Sequence, residues 1–102
     1  MRKFSIQTEQ VFAAMMDAPA DETYGFELVK ATGLPSGSVY PILRRLEDRG
    51  WLTAREEVID PDARRPRHRI YYRLTGEGRC VAREAIRDHA VALRSLSPGW
   101  QR

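Results

Sequence analysis

Ser36-Gly37-Ser38-Val39-Tyr40-Pro41-Ile42-Leu43-Arg44-Arg45-Leu46-Glu47, residues 36–47, is the stretch on which the fold turns. Val39, Ile42, Leu43 and Leu46 recur at the i, i+3, i+4, i+7 spacing of one buried helical face. Gly37, Tyr40, Pro41, Arg44 and Asp48 fall on the opposite face, flanked by Ser36, Ser38 and Arg45. A helix with one apolar side to anchor it and one arginine-bearing side to read with is what the DNA major groove accepts. Pro41 leaves the start open. Either the helix begins near Tyr40 with proline in its first turn, or it begins near Ser36 and carries a proline inside.

Upstream, residues 7–17 read as a first helix, with Val11 and Met15, and Phe12 and Met16, each four apart. Ala18-Pro19-Ala20-Asp21 ends it. A second helix is expected from a Thr23 cap to Thr32, with Gly33 as its stop. The turn Leu34-Pro35-Ser36-Gly37 then leads into the third helix, the spacing of a helix-turn-helix. Downstream, residues 51–59 and 69–74 alternate as two strands around the turn Asp60-Pro61-Asp62-Ala63. They make a hairpin. Thr75 caps a last helix over 77–96. Its Ala82, Ile86, His89, Leu93 and Leu96 follow 4, 3, 4, 3 spacing, a short coiled-coil-like seam suited to pairing two copies. The expected fold is mainly α with a small β-hairpin: a winged helix-turn-helix domain over residues 1–75, then a dimerisation helix and short tail over 76–102.

The chain has 102 residues and a net charge of +3. It is about one domain long. Charge is unevenly placed: residues 36–75 hold nine Lys/Arg against six Asp/Glu, and residues 1–35 hold three against five. Five arginines, Arg64, Arg65, Arg67, Arg69 and Arg73, fall within ten residues with no acid among them. Such a hairpin tip suits a phosphate backbone or a narrow minor groove, with His68 alongside. On the third helix, Arg44 and Arg45 are the base-reading candidates, Ser36 and Ser38 the phosphate contacts, and Tyr40 suits either role. The alternative for Arg44 and Arg45 is pairing with Glu47 or Asp48 on a solvent face.

No catalytic constellation is present. His68 and His89 stand alone, and Cys80 has no partner at metal-ligand spacing. Gly76-Glu77-Gly78 lacks the rest of a phosphate loop. No metal or cofactor is expected. One cysteine and no long apolar run point to a cytoplasmic protein without a membrane span. Phe4, Phe12, Met15, Met16 and Trp100 are candidates to line a pocket for a small aromatic effector at a dimer interface, ordinary core being the other reading. The competing functional class is a winged-helix module for protein–protein assembly; the arginine cluster favours double-stranded DNA.

Four stretches resemble the PadR family of bacterial transcriptional regulators. They are Tyr24-Gly25-Phe26-Glu27-Leu28, residues 36–47, Gly50-Trp51-Leu52, and residues 67–79 with their Arg67, Tyr71-Tyr72, Leu74-Thr75 and Gly78-Arg79. The resemblance implies a homodimer paired through the C-terminal helix and the first helix. It also implies a pseudo-palindromic operator, repression of a nearby operon, and release by a phenolic acid or drug. It further implies a recognition helix that runs through Pro41. The chain departs from the family pattern in its short link before Ser36, in Ser36 itself where proline is usual, and in Trp51.

Overall fold

The structure, a computed structural model, describes residues 4–18 and 22–96, with side chains as far as Asp88. Seven elements follow in order: α1 (Ile6–Asp17), β1 (Glu22–Tyr24), α2 (Gly25–Thr32), α3 (Ser36–Asp48), β2 (Leu52–Ile59), β3 (Arg67–Leu74) and α4 (Gly76–Leu96).

Each boundary has a local cause. Ser5 caps α1, its Oγ accepting the Thr8 N–H at 3.2 Å. Gly33, at φ 71°, closes α2 in the left-handed region. At the end of α3, Gly50 takes φ 78°; its N–H donates to Glu47 O at 2.9 Å and the Trp51 N–H to Leu46 O at 3.0 Å. Those paired bonds satisfy carbonyls that a helix end otherwise leaves open. Thr75 holds the start of α4: its hydroxyl oxygen accepts the Gly78 N–H and donates to Gly50 O, both at 2.9 Å.

One sequence expectation changes, and one open alternative closes as the family resemblance implies. Thr23 does not cap α2. It is the middle residue of β1, which lies antiparallel to β3 with Glu22 opposite Arg73 and Tyr24 opposite Tyr71. The hairpin is therefore part of a three-stranded sheet, ordered β1-β3-β2. A three-residue strand is too short to show alternation, and only its pairing with a distant strand defines it. Pro41 is inside α3, which begins at Ser36. The bond it forfeits is to the carbonyl of Gly37, and both residues are exposed, so water can serve that carbonyl.

The core joins every layer. Val11, Phe12 and Met15 of α1, Leu28 of α2, and Val39, Ile42, Leu43 and Leu46 of α3 meet Leu52, Tyr72 and Leu74 of the sheet. Ala82 and Ala85 of α4, 0% and 2% exposed, complete it. This corrects the seam reading at Ala82: that methyl packs inside its own protomer and has no surface to offer a second copy. Ile86 is half-buried. His89, Leu93 and Leu96 belong to α4, but their side chains lie outside the described residues. The first turns of α4 thus share the core of residues 1–75. Phe12, 0% exposed, is likewise core rather than the wall of an effector pocket. Met15 is buried too; with Met16 it borders a void of about 40 Å³. Trp100 lies outside the described residues.

Candidate nucleic-acid interface

α3 is held at both ends and along one side. Its four core residues are 0–3% exposed. Tyr40, on the other side, packs over α2: a Cβ on Gly25 would stand 2.5 Å from Tyr40 Cε1. Glycine at position 25 therefore lets the two helices of the helix-turn-helix approach, and Tyr40 remains 42% exposed. Ser36 is exposed and Ser38 half-buried at the N-terminal turn. The Ser38 and Val39 N–H groups both donate to Pro35 O, at 2.9 and 3.1 Å.

Arg44 and Arg45 are exposed. Among the described residues neither makes an ion pair, so Glu47 and Asp48 do not hold them. They point away from the core a helical step apart. Between α3 and the sheet lies a groove of about 740 Å³ lined by Tyr40, Pro41, Arg44, Glu47, Asp48 and Tyr72. Tyr72 is the buried residue of that wall. Burial pushes its phenol up from the ordinary value, with Tyr40 and Glu47 adding to the shift, so it stays a neutral hydroxyl.

The five arginines of the wing do not act as one cluster. Arg64 and Arg65 are in the turn between β2 and β3 and are exposed. Arg67 and Arg69 belong to β3 itself, opposite Ile59 and Glu57, so alternation sends them to the sheet's outer face. There Arg69 lies 4.7 Å from the Tyr24 ring centroid, while Arg55 lies 4.6 Å from that of Tyr71. Arg55 also grips both oxygens of Glu22, at 2.6 and 3.2 Å. Hydrogen bonding to Arg55 holds the Glu22 carboxyl below the usual carboxylate range. The Tyr24 hydroxyl donates to Glu27 at 2.6 Å, which raises the phenol and lowers the acid. His68 points to the inner face, 2.5 Å from Glu56. On that inner face Val58 and Ile70, 43% and 44% exposed, run past the end of the core. The wing therefore projects as a paired ribbon, with Arg64 and Arg65 at its tip.

Sequence reasoning missed β1 and its partners on the outer face. Tyr24, Glu22 and Arg55 carry no local signal, since the register that joins them spans some fifty positions of chain. It also gave no role to Arg49, whose guanidinium carbon lies 5.3 Å from the Trp51 ring centroid.

A family model for the transcriptional regulator PadR-like family matches residues 15–84, which include α2, α3, the whole sheet and the first part of α4. The chain belongs to the PadR-like family.

Solved structures place this PadR-like fold among winged-helix regulators. BpsR of Bordetella bronchiseptica, whose DNA binding is regulated by 6-hydroxynicotinic acid, aligns with a TM-score of 0.73 at 25% identity. That alignment covers 95% of this chain and 67% of BpsR. The Streptococcus mutans protein smu.1704 gives 0.67 at 21% identity, over 85% of this chain and 78% of its own. MepR of S. aureus, in its DNA-binding conformation, gives 0.61 at 18%, over 93% and 68%. No curated protein sequence matches. The PadR-like chain is a DNA-binding transcriptional regulator. Among the described residues no helix is long and apolar enough to cross a membrane, and no three His, Cys, Asp or Glu side chains gather as metal ligands.

Proposed function

We propose that this regulator works as a homodimeric repressor on a pseudo-palindromic operator and lets go of it when a small aromatic effector binds. The observation that carries the DNA-contact assignment is a set of guanidiniums with no acid partner among the described residues. Arg44 and Arg45 stand on α3 and Arg64 and Arg65 at the wing tip, all exposed. Evolving such a surface on a stable core has an obvious use, because each phosphate neutralised releases bound counterions. Arg44 and Arg45 read bases, while Ser36, Ser38 and Tyr40 fix the helix on the backbone. Arg64 and Arg65 contact the backbone or enter the minor groove, and Arg67 lies close enough along β3 to follow them. Arg69, stacked on Tyr24, is the weakest of the wing contacts.

Two copies paired through the far part of α4 would set their recognition helices about one DNA turn, roughly 34 Å, apart. Regulation of BpsR by 6-hydroxynicotinic acid supports a flat aromatic acid as the effector class. The test is selection of binding sites from a random DNA library, then titration across salt. A half-site repeat should emerge. Its affinity should exceed that for random DNA by about 10³-fold or more and fall steeply between about 50 and 200 mM salt. A selected site bound no better than random sequence at physiological salt sinks the reading.

A further inference from the structure

Beyond Tyr71 the wing loses its third strand. β1 pairs with β3 only from Arg73 to Tyr71, while β2 and β3 continue as a two-stranded ribbon to Ile59 and Arg67. The core gives that ribbon no seat, since Val58 and Ile70 on its inner face are exposed. Two strands alone twist strongly and are marginally stable in water. Arg64 and Arg65 stand at the far end of this ribbon. Their position relative to α3 therefore depends on what steadies it.

The outer face supplies the contacts. β3 lies between β1 and β2, so those two strands are roughly 10 Å apart. The Arg55 side chain crosses that gap. It leaves β2, passes 4.6 Å from the Tyr71 ring centroid on β3, and grips both oxygens of Glu22 on β1 at 2.6 and 3.2 Å. Its bond to Glu57, at 3.2 Å, stays within β2 and ties nothing across. Further out, Arg69 reaches back from the two-stranded part of β3 and lies 4.7 Å from the Tyr24 ring centroid. Tyr24 and Tyr71 stand edge to face, 6.0 Å apart. The Tyr24 hydroxyl in turn donates to Glu27 of α2. β1 runs straight into α2 at Gly25, so the network ends on the helix-turn-helix itself. An exposed ion pair is normally worth little, but a bidentate guanidinium stacked on a ring and joined to a network is the exception.

We propose that Arg55, Glu22 and Arg69 form a strap that holds the wing at a fixed angle to the recognition helix, so that wing tip and α3 meet DNA together. They are positioning residues for DNA binding. The proposal rests on the reading of Arg64 and Arg65 as DNA contacts. A wing held in place beforehand does not have to be ordered on the DNA, and the ordering cost avoided appears as affinity.

The sign of one substitution tests the strap. Glu22→Gln removes a negative charge from a protein that binds a polyanion, so electrostatics by itself would strengthen binding. The strap predicts the opposite. Affinity for the selected operator should fall about three- to ten-fold, in a variant whose thermal melt shows it folded at the assay temperature. The slope of log affinity against log salt should shrink toward that of Arg64→Ala/Arg65→Ala, although no cation has been removed. Glu22→Gln should cost nothing further in that wing-tip background, nor in an Arg55→Gln background. Binding unchanged or tightened by Glu22→Gln overturns the strap and leaves the wing contacts standing. A loss that persists undiminished in the wing-tip background means that the pair supports the fold rather than the wing, and overturns the strap as well. If Arg64→Ala/Arg65→Ala itself costs nothing, the wing reading falls and the strap with it.

Discussion

Gly78 sits in the first turn of α4 with the backbone of Trp51 directly against it. An added Cβ there would overlap the Trp51 carbonyl oxygen, and that oxygen already accepts the Thr75 N–H at 3.0 Å. Backbone cannot swing aside as a side chain can, so Gly78→Ala should lower stability by about 1–3 kcal/mol, measured as a shifted urea midpoint at unchanged slope. Gly25 is the milder case, since the atoms facing it belong to the Tyr40 ring. Arg44→Ala should leave the melt unchanged and cost about 1–3 kcal/mol of operator affinity, with base preference relaxed at one position. An equal loss on every sequence would make Arg44 a backbone contact. At this scale the sequence showed which arginines stand on the outer face of α3, because helical periodicity fixes that by itself. It did not show that Gly25 and Gly78 are contact points. Their neighbours, Tyr40 and Trp51, are brought to them only by folding.

Among the elements, the wing and α4 behave differently. The wing's pairing is long-range, and its arginines are sorted by strand alternation. Arg64→Ala and Arg65→Ala should weaken binding to all sequences alike and reduce the salt slope by about 1 each, read from titrations at several salt concentrations. Arg69→Ala should change that slope less and loosen the packing over Tyr24. The outer face also carries a pH signature. Arg55 holds the folded-state Glu22 carboxyl below its ordinary range. Its stabilising contribution is therefore present above that ordinary range and is lost as pH falls through the lowered value. Wild type should melt above Glu22→Gln near neutrality, and the two should converge in acid; a gap that persists at acid pH would refute the pairing. The ion pair is exposed, so raising salt should narrow the gap as well. The strands and α4 were legible from alternation, caps and turn residues. β1 was not, because three residues carry no period.

In the whole molecule, α4 joins the core at one end and carries the proposed pairing surface at the other. Its first turns bury Ala82 and Ala85 against the protomer's own core, and its later turns carry Leu93 and Leu96. A charge at Leu93 should yield folded monomers by sedimentation, whereas Ala82→Asp should unfold the protomer instead. A stable dimer in the Leu93 variant would place the pairing surface elsewhere. The sequence alone determined the order of helices and strands, the apolar face of α3 and the basic character of the wing. These follow from periods of 3.6 and 2 and from turn chemistry, all local properties of a chain. It also determined the family, since motif order from Tyr24 to Arg79 needs no coordinates. Only the tertiary structure decided that Thr23 belongs to a strand and that Phe12 and Ala82 face inward, and it bore out a recognition helix running through Pro41. It alone laid Arg55 across β3 to reach Glu22. Each of these depends on which surfaces meet, and burial is a property of the packed molecule rather than of any stretch within it.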